Sequence, residues 1–355
     1  MRKAIRFVLL PLVFAGTAAV APAQKGLDIY WCDVEGGAAT LIVTPAGESI
    51  LVDSGWPGER DAARIAKTAK EVAGLQQIDH YITTHWHTDH FGGIGRLAQL
   101  ITTRNFYDHG FPSLPASDIQ PELVEAYKNA GGGKSTILRP GDEIRLKQAR
   151  GTPRLNLKAF AAHGVVLGEK ADAPEIRECS ANPKHEAKPA DSSDNARSLA
   201  FVLKFGEWKF FDAGDLTWNV EHKLVCPKNL VGDVDVYQVT HHGLDASNNP
   251  AVLAALRPRV AIMNNGAQKG GTPRAIDVVR TSPGLQALFA VHRNVQAGAE
   301  GNAAPELTAN DEEQCRGEVI KLSVAPDGKS YSVSVPSKGT SRTFVVRRSR
   351  NQTPE

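Results

Sequence analysis

His85-Trp86-His87-Thr88-Asp89-His90 sets three imidazoles and a carboxylate within six residues, directly after the apolar run Tyr81-Ile82-Thr83-Thr84. Imidazole nitrogen and carboxylate oxygen are the donors that suit zinc and similar divalent ions. On an extended segment successive side chains alternate faces, so His85, His87 and Asp89 share one side. Gly92 and Gly93 offer the turn that would bring His90 round to join them. Only 11 of the 355 residues are histidine, so this density points to a metal site and away from an ordinary polar loop. Two later segments repeat the design. Lys209-Phe210-Phe211-Asp212-Ala213-Gly214-Asp215 runs as a strand into Gly-Asp, and Val236-Tyr237-Gln238-Val239-Thr240-His241-His242-Gly243 runs as a strand into paired histidines. An aspartate lying between two ions could bridge them, as in hydrolases whose paired metals sit about 3.5–4 Å apart.

The elements that must carry these residues alternate between strand and helix. Short β-like runs at 27–34, 40–44 and 49–53 are separated by Glu35-Gly36-Gly37 and by Pro45-Ala46-Gly47. An alanine-rich helical pattern follows at 61–72 and ends at Gly74, then a strand at 80–84 delivers the histidine cluster at its C-terminal end. A helix at 96–102, strands at 105–109, 198–205, 209–212, 234–240 and 260–264, and a helix starting at 274–280 complete the regular part. Residues 165–195 are polar and proline-bearing and are expected to form a surface excursion, pinned through Cys179. Residues 318–325 and 330–335, joined by Pro326-Asp327-Gly328-Lys329, carry a hairpin signal. Alternating strands and helices predict an α/β layered domain over residues 24–347 with no internal linker.

Composition bounds the rest. Arg2, Lys3 and Arg6 precede an apolar run over 7–20, and Ala21-Pro22-Ala23 fits a small-x-small cleavage site, so residues 1–23 read as a secretory signal peptide. Removing them takes away three cations and no acids, which turns a net charge of +2 into −1. That value argues against a general polyanion-binding surface and a stable nucleic-acid partner. Once the leader is cleaved, no membrane association is expected. Export permits disulfides among Cys32, Cys179, Cys226 and Cys315, with three complete pairings open. Cys32, in an apolar strand-like run, reads as a buried thiol, and the other three are the better bridge candidates.

The order HxHxDH, Gly-Asp, His-His-Gly resembles the metallo-β-lactamase fold superfamily. Within it, the chain is most similar to the metallo-hydrolase domain of DNA-internalisation competence proteins. The likeness extends to Ile29-Tyr30-Trp31-Cys32-Asp33-Val34-Glu35-Gly36-Gly37-Ala38-Ala39, to Ile50-Leu51-Val52-Asp53-Ser54-Gly55 and to Asn195-Ala196-Arg197-Ser198-Leu199, and covers roughly residues 27–290. It implies an α/β fold of αββα sandwich type, with the metal site at one edge of two sheets. It also implies that His85 and His87 bind a first ion and Asp89 and His90 a second. Asp215 would bridge them and His241 complete the second site, with His242 the alternative if the register differs by one. Many members have a further histidine about two dozen residues before the bridging aspartate. Here Asp191 to Asn195 stand in that region, so either Asp194 or His163 replaces it or the first ion has one ligand fewer. A histidine before proline in the late loop is also absent, since Thr272-Pro273 occupies that place, and Lys269 is its candidate substitute.

The implied function is an exported zinc hydrolase with two ions per chain, other divalent ions being able to serve. A divalent metal lowers the pKa of bound water to about 7, giving hydroxide that attacks a phosphoryl or carbonyl centre. Asp89 and Asp215 are the expected catalytic carboxylates, Asp89 orienting the nucleophile as well as binding metal. A phosphodiester or related ester leads as the substrate, ahead of a lactone or β-lactam. The competing class is a metal-binding module without catalysis. Asp53 is expected either to hold a ligand imidazole by hydrogen bonding or to form an Asx turn before Gly55. Tyr107-Asp108-His109 could line the pocket. Gly131-Gly132-Gly133-Lys134 lacks the glycine spacing and preceding strand of a phosphate-binding loop. His80, His185, His222 and His292 have no ligand-like company in the sequence.

Overall fold

Which way each strand residue faces decides the layers. In the strand Leu27–Trp31, Leu27, Ile29 and Trp31 face one side and Tyr30 the other. The same alternation puts Phe201, Leu203 and Phe205 on one face of Ala200–Phe205, and Ala200 and Val202 on the opposite face. Two sheets each apolar on both faces must be covered on both, and the chain does this with a central sheet-on-sheet core and helices outside. The computed structural model describes residues 24–168, 187–298 and 301–347. The expected signal peptide and Cys179 lie outside those residues, and the 165–195 excursion is described only at its two ends.

The first sheet runs, in spatial order, Thr340–Val345, Ser330–Val335, Ile320–Val324, Leu27–Trp31, Thr40–Val43, Ser49–Val52, Gln77–Ile82, Thr102–Asp108 and Thr136–Ile137. The second runs Thr308–Asn310, Ala287–His292, Val260–Met263, Val236–Gln238, Trp208–Asp212, Ala200–Phe205, Leu155–Ala162 and Glu143–Ile144, with Val165–Val166 paired to Leu155–Ala162. Ile29, Ile50 and Ile82 from the first sheet and Phe201, Phe210, Ile262 and Phe289 from the second share the central core. Helices Glu59–Lys67, Ile94–Leu100 and Pro121–Ala130 cover the outer face of the first sheet, while Trp218–Lys223, Pro250–Leu256 and Pro273–Arg280 cover the second. This is the expected αββα sandwich.

Most expected elements are present within a few residues of their predicted bounds. The 61–72 helix begins earlier, at Glu59, and its last turn, Thr68–Val72, widens to π geometry. The late hairpin is no appendage: Ile320–Val324 pairs antiparallel with Leu27–Trp31 and so extends the first sheet. One expectation about cysteine fails. Cys315 is a free thiol, as is buried Cys32, while Cys226 is disulfide-bonded.

The topology also fixes where chemistry can gather. Ser49–Val52 and Gln77–Ile82 are parallel neighbours, as are Trp208–Asp212, Val236–Gln238 and Val260–Met263. Parallel strands bring their C-terminal tips to one edge of a sheet, the usual place for a site in α/β proteins. At that edge the two sheets touch. The Leu199 amide donates across to the Thr84 carbonyl at 2.8 Å, while within the second sheet's edge the His241 amide donates to the Gly214 carbonyl at 3.0 Å. Gly214 sits at φ 52°, and a Cβ there would lie 2.8 Å from Thr84 Cβ, so glycine is what lets the tips approach.

Candidate metal centre

His85, Asp89, His90, Asp215, His241 and His242 are all buried, and the four imidazoles converge on the Asp215 carboxylate. One ligand atom each from Asp89, His90, Asp215 and His242 lies within 4.8 Å of the others. His90 Nε2 is 3.2 Å from Asp215 Oδ1 and 3.5 Å from Asp89 Oδ2. His242 Nε2 is 3.3 Å from Asp215 Oδ2 and 3.2 Å from Asp89 Oδ2. His241 Nε2 and His85 Nε2 approach the same Asp215 Oδ2 at 3.4 and 3.9 Å.

The second nitrogen of each imidazole explains the arrangement. His90 Nδ1 donates to Asp53 Oδ2 at 2.7 Å, and His242 Nδ1 to the Asn264 carbonyl at 3.1 Å. His85 Nδ1 lies 3.2 Å from Thr84 Oγ1, whose own proton is spent on Asp53. His241 Nδ1 lies 3.1 Å from Ser247 Oγ, whose proton goes to the Leu216 carbonyl. Each acceptor therefore holds the proton on Nδ1 and leaves an Nε2 lone pair facing Asp215. His85 Nε2 and Asp215 Oδ1 are buried with no hydrogen-bond partner among the described residues. His90 Nε2 and His242 Nε2 face each other at 3.0 Å. Two lone pairs aimed at one point, ringed by carboxylate oxygens, fit a divalent cation in chemistry and in placement.

The carboxylates dominate the electrostatics: against burial, Asp215, Asp53 and Asp89 lift His90 well above the ordinary imidazole value, and Asp215 lifts His242 above it. Burial opposes ionisation of Asp215, yet His241, His242 and His90 hold its carboxyl well below the usual range. Asp89 is likewise held down against burial, by His90, His242 and Lys269. Burial and repulsion from His90 keep His85 well below the ordinary imidazole value, so it stays a neutral donor. Lys269 Nζ pairs with Asp89 Oδ2 and lies 5.1 Å from the centre of the Trp56 ring.

Comparison with known proteins accords with this geometry. Residues 32–163 match the model of the metallo-β-lactamase superfamily. The chain is also 30% identical over 141 residues to a UPF0173 metal-dependent hydrolase of Cupriavidus necator, an overlap of 39% of this chain and 46% of that protein. It is 24% identical over 236 residues to Recombination protein 2 of Haemophilus influenzae, covering 66% of this chain and 24% of that one. The matched part thus spans less than half the length of these curated relatives. Among solved structures, CmlA, a diiron β-hydroxylase from Streptomyces venezuelae, aligns at TM-score 0.40 and 18% identity over 70% of this chain and 46% of that chain.

Three site expectations drawn from the superfamily need correction. His242, not His241, stands with Asp89 and His90. Both residues have positive φ, 56° and 54°, so the chain turns left-handed through the pair and brings both rings onto Asp215 Oδ2, at 3.4 and 3.3 Å, with His242 also reaching Asp89 Oδ2 at 3.2 Å. His241 shares Asp215 Oδ2 with His85, the part of the cluster where a histidine was missing. Asp194 is not its replacement: its Oδ2 accepts from the Trp86 amide at 2.6 Å and from His109 Nε2 at 3.1 Å, clamping the backbone between His85 and His87. His163 is exposed, and its ring lies tilted at 5.8 Å from that of His109. His87 meets the ring of His85 at 4.7 Å, but Asp118 Oδ2 takes its Nε2 at 3.0 Å, so any lone pair it offers is that of Nδ1. Asp118, Thr84, Ser247 and Asn264 escaped the sequence reading. Single polar residues in loops carry no spacing signal, and only Asp53 was legible, from its place at a strand end.

Proposed function

We propose that this protein is an exported hydrolase dependent on divalent metal, with two zinc ions per chain, acting on a phosphodiester or related ester. The observation that carries the reading is the set of four imidazoles, His85, His90, His241 and His242, each locked with its proton on Nδ1 and its Nε2 turned to Asp215. A purely structural cluster has no use for four lone pairs on one carboxylate. His242, Asp89 and His90 would hold one ion, His85 and His241 with His87 Nδ1 the other, and Asp215 would bridge them. Bound ions there would acidify a water and screen charge on the attacked oxygen. Asp89, a hydrogen-bond acceptor at the rim, would orient that water, and the buried walls would limit competing solvent.

Lys269 favours an anionic substrate: its ammonium stands over the centre between Asp89 and Trp56, where it can meet a phosphate oxygen. No helix among the described residues is long and apolar enough to cross a membrane. The disulfide at Cys226 supports an oxidising compartment and hence export. The test is metal counting on purified protein together with turnover of bis(p-nitrophenyl) phosphate, nitrocefin and a lactone panel. We expect diester cleavage that Asp215→Ala abolishes without loss of fold. No turnover of any substrate by metal-loaded protein would favour a binding module, and recovery of the uncleaved chain in the cytoplasm would refute export.

A further inference from the structure

A second cluster of metal-ligating side chains lies where the turn after the first strand meets the segment preceding the late hairpin. Asp33 and His292 are fully buried, and Glu35 and Cys315 are half-buried. One ligand atom from each of the four lies within 4.8 Å of the others. Cys315 Sγ donates to Asp33 Oδ2 at 2.8 Å and lies 3.6 Å from Glu35 Oε1. His292, which lacks ligand-like neighbours in the sequence, acquires them here through the fold. Its Nδ1 donates to the Arg293 carbonyl at 2.9 Å, while its Nε2 is sealed from solvent with no hydrogen-bond partner among the described residues. Buried nitrogens without partners are rare and call for an explanation such as an ion.

We propose that Asp33, Glu35, His292 and Cys315 form a separate, structural site for a zinc-like cation. One thiolate, one imidazole nitrogen and two carboxylates are a donor set for a borderline-soft ion in closed tetrahedral coordination. Arg64 is the present counter-cation: its guanidinium contacts Asp33 Oδ2 at 3.3 Å and Glu35 Oε1 at 3.0 Å, and donates to the Cys315 carbonyl at 3.1 Å. Arg64 alone cannot balance two carboxylates. With a divalent cation and a deprotonated Cys315, the five side chains and the ion close at neutrality. On binding, the S–H bond of Cys315 breaks, its proton passes to water, a metal–sulfur bond forms, and the Arg64 nitrogen relaxes from the carboxylates. The ion would brace the turn that backs the candidate centre. The Ala38 amide donates to the Asp89 carbonyl at 3.1 Å, and a Cβ on Gly36 would lie 2.8 Å from that of Lys269.

The candidate centre contains no sulfur, so a sulfur signature reports on this site alone. The full chain, kept non-reduced to preserve the disulfide at Cys226, is loaded with cobalt. We expect a near-ultraviolet thiolate-to-cobalt charge-transfer band that Cys315→Ser abolishes and Cys32→Ser leaves intact, together with the loss of one ion per chain in Cys315→Ser. Zinc-edge X-ray absorption of the wild-type protein should show a sulfur neighbour at about 2.3 Å, a measurement that stands even if the variant fails to fold. Absence of both band and sulfur neighbour, or a band that survives Cys315→Ser, would overturn the site.

Discussion

Asp53 is the residue on which the candidate metal centre can be tested most sharply without touching a ligand. It is buried, at φ 60°, with Oδ2 accepting from His90 Nδ1 at 2.7 Å and from Thr84 Oγ1 at 2.7 Å, while Oδ1 accepts from the Thr84 amide at 2.8 Å. Asp53→Asn keeps the shape and the left-handed backbone, which asparagine tolerates as well as aspartate does. It cannot keep the hydrogen bonds. An amide has one accepting oxygen, so its NH2 must face either the Thr84 amide, donor against donor, or His90 Nδ1. The second orientation moves the imidazole proton to Nε2, the nitrogen aimed at Asp215. A hydrogen bond to a charged group contributes about 1.5–3 kcal/mol. Partners that orient metal-bound histidines are worth about 10–100-fold in metal affinity, or about 1.4–2.8 kcal/mol. The two routes agree, so zinc affinity should fall about 10–100-fold, measured by competition with a chelating indicator on protein whose circular dichroism matches wild type. An unchanged affinity in the folded variant would refute the claim that Asp53 fixes the tautomer of His90.

His242→Ala and His241→Ala should each lose one of two ions and the double variant both, as counted by mass spectrometry; a double variant that loses no more metal than either single one would contradict the assignment of the two imidazoles to different ions. Lys269→Met should raise KM for an anionic diester by about tenfold or more with kcat little changed, as expected for loss of a charged contact formed equally in ground and transition states. Glu221, buried in the helix Trp218–Lys223, has its carboxyl pushed by burial from 4.5 to about 7. Between those values the folded chain holds a proton that the unfolded chain has released, so stability falls as pH rises through that window, by about 3 kcal/mol at full ionisation. Glu221→Gln should flatten that part of the unfolding free energy measured by urea titration from pH 4.5 to 8, and an unaltered slope would exclude Glu221 as its source.

How far the site was legible from sequence depends on how each residue reaches it. Ligands at strand tips were readable because a parallel strand delivers whatever follows it to one edge, so His85 to His90, Asp215 and the 241–242 pair could be placed together before any coordinates. The choice between His241 and His242 was not readable. Strand parity assigns alternate residues to alternate faces, but two consecutive residues at positive φ break that parity, and no glycine marks the first of them. The missing first-side histidine was sought upstream, in Asp194 and His163, because the expected pattern puts it there. The fold instead brings the neighbouring His241 onto Asp215 as well, and uses Asp194 to clamp Trp86.

The groups that prepare the imidazoles show why the remainder was hidden. Asp53 and Thr84 follow two neighbouring strands of the first sheet, Ser247 lies in a loop after Val236–Gln238, and the Asn264 acceptor is a backbone carbonyl that any residue could supply. Each contributes one oxygen at one distance, which leaves no periodicity and no characteristic residue type. Asp33, Glu35, His292 and Cys315 were hidden for another reason: their types suit a metal, but no short spacing joins them, and the pairing of Ile320–Val324 with Leu27–Trp31 draws the preceding segment against the turn. A zinc ligand is drawn from histidine, aspartate, glutamate and cysteine and is therefore visible in a sequence when its spacing is short. The acceptor that aims it need only be an oxygen in the right place, so it becomes visible when the two sheets close on each other.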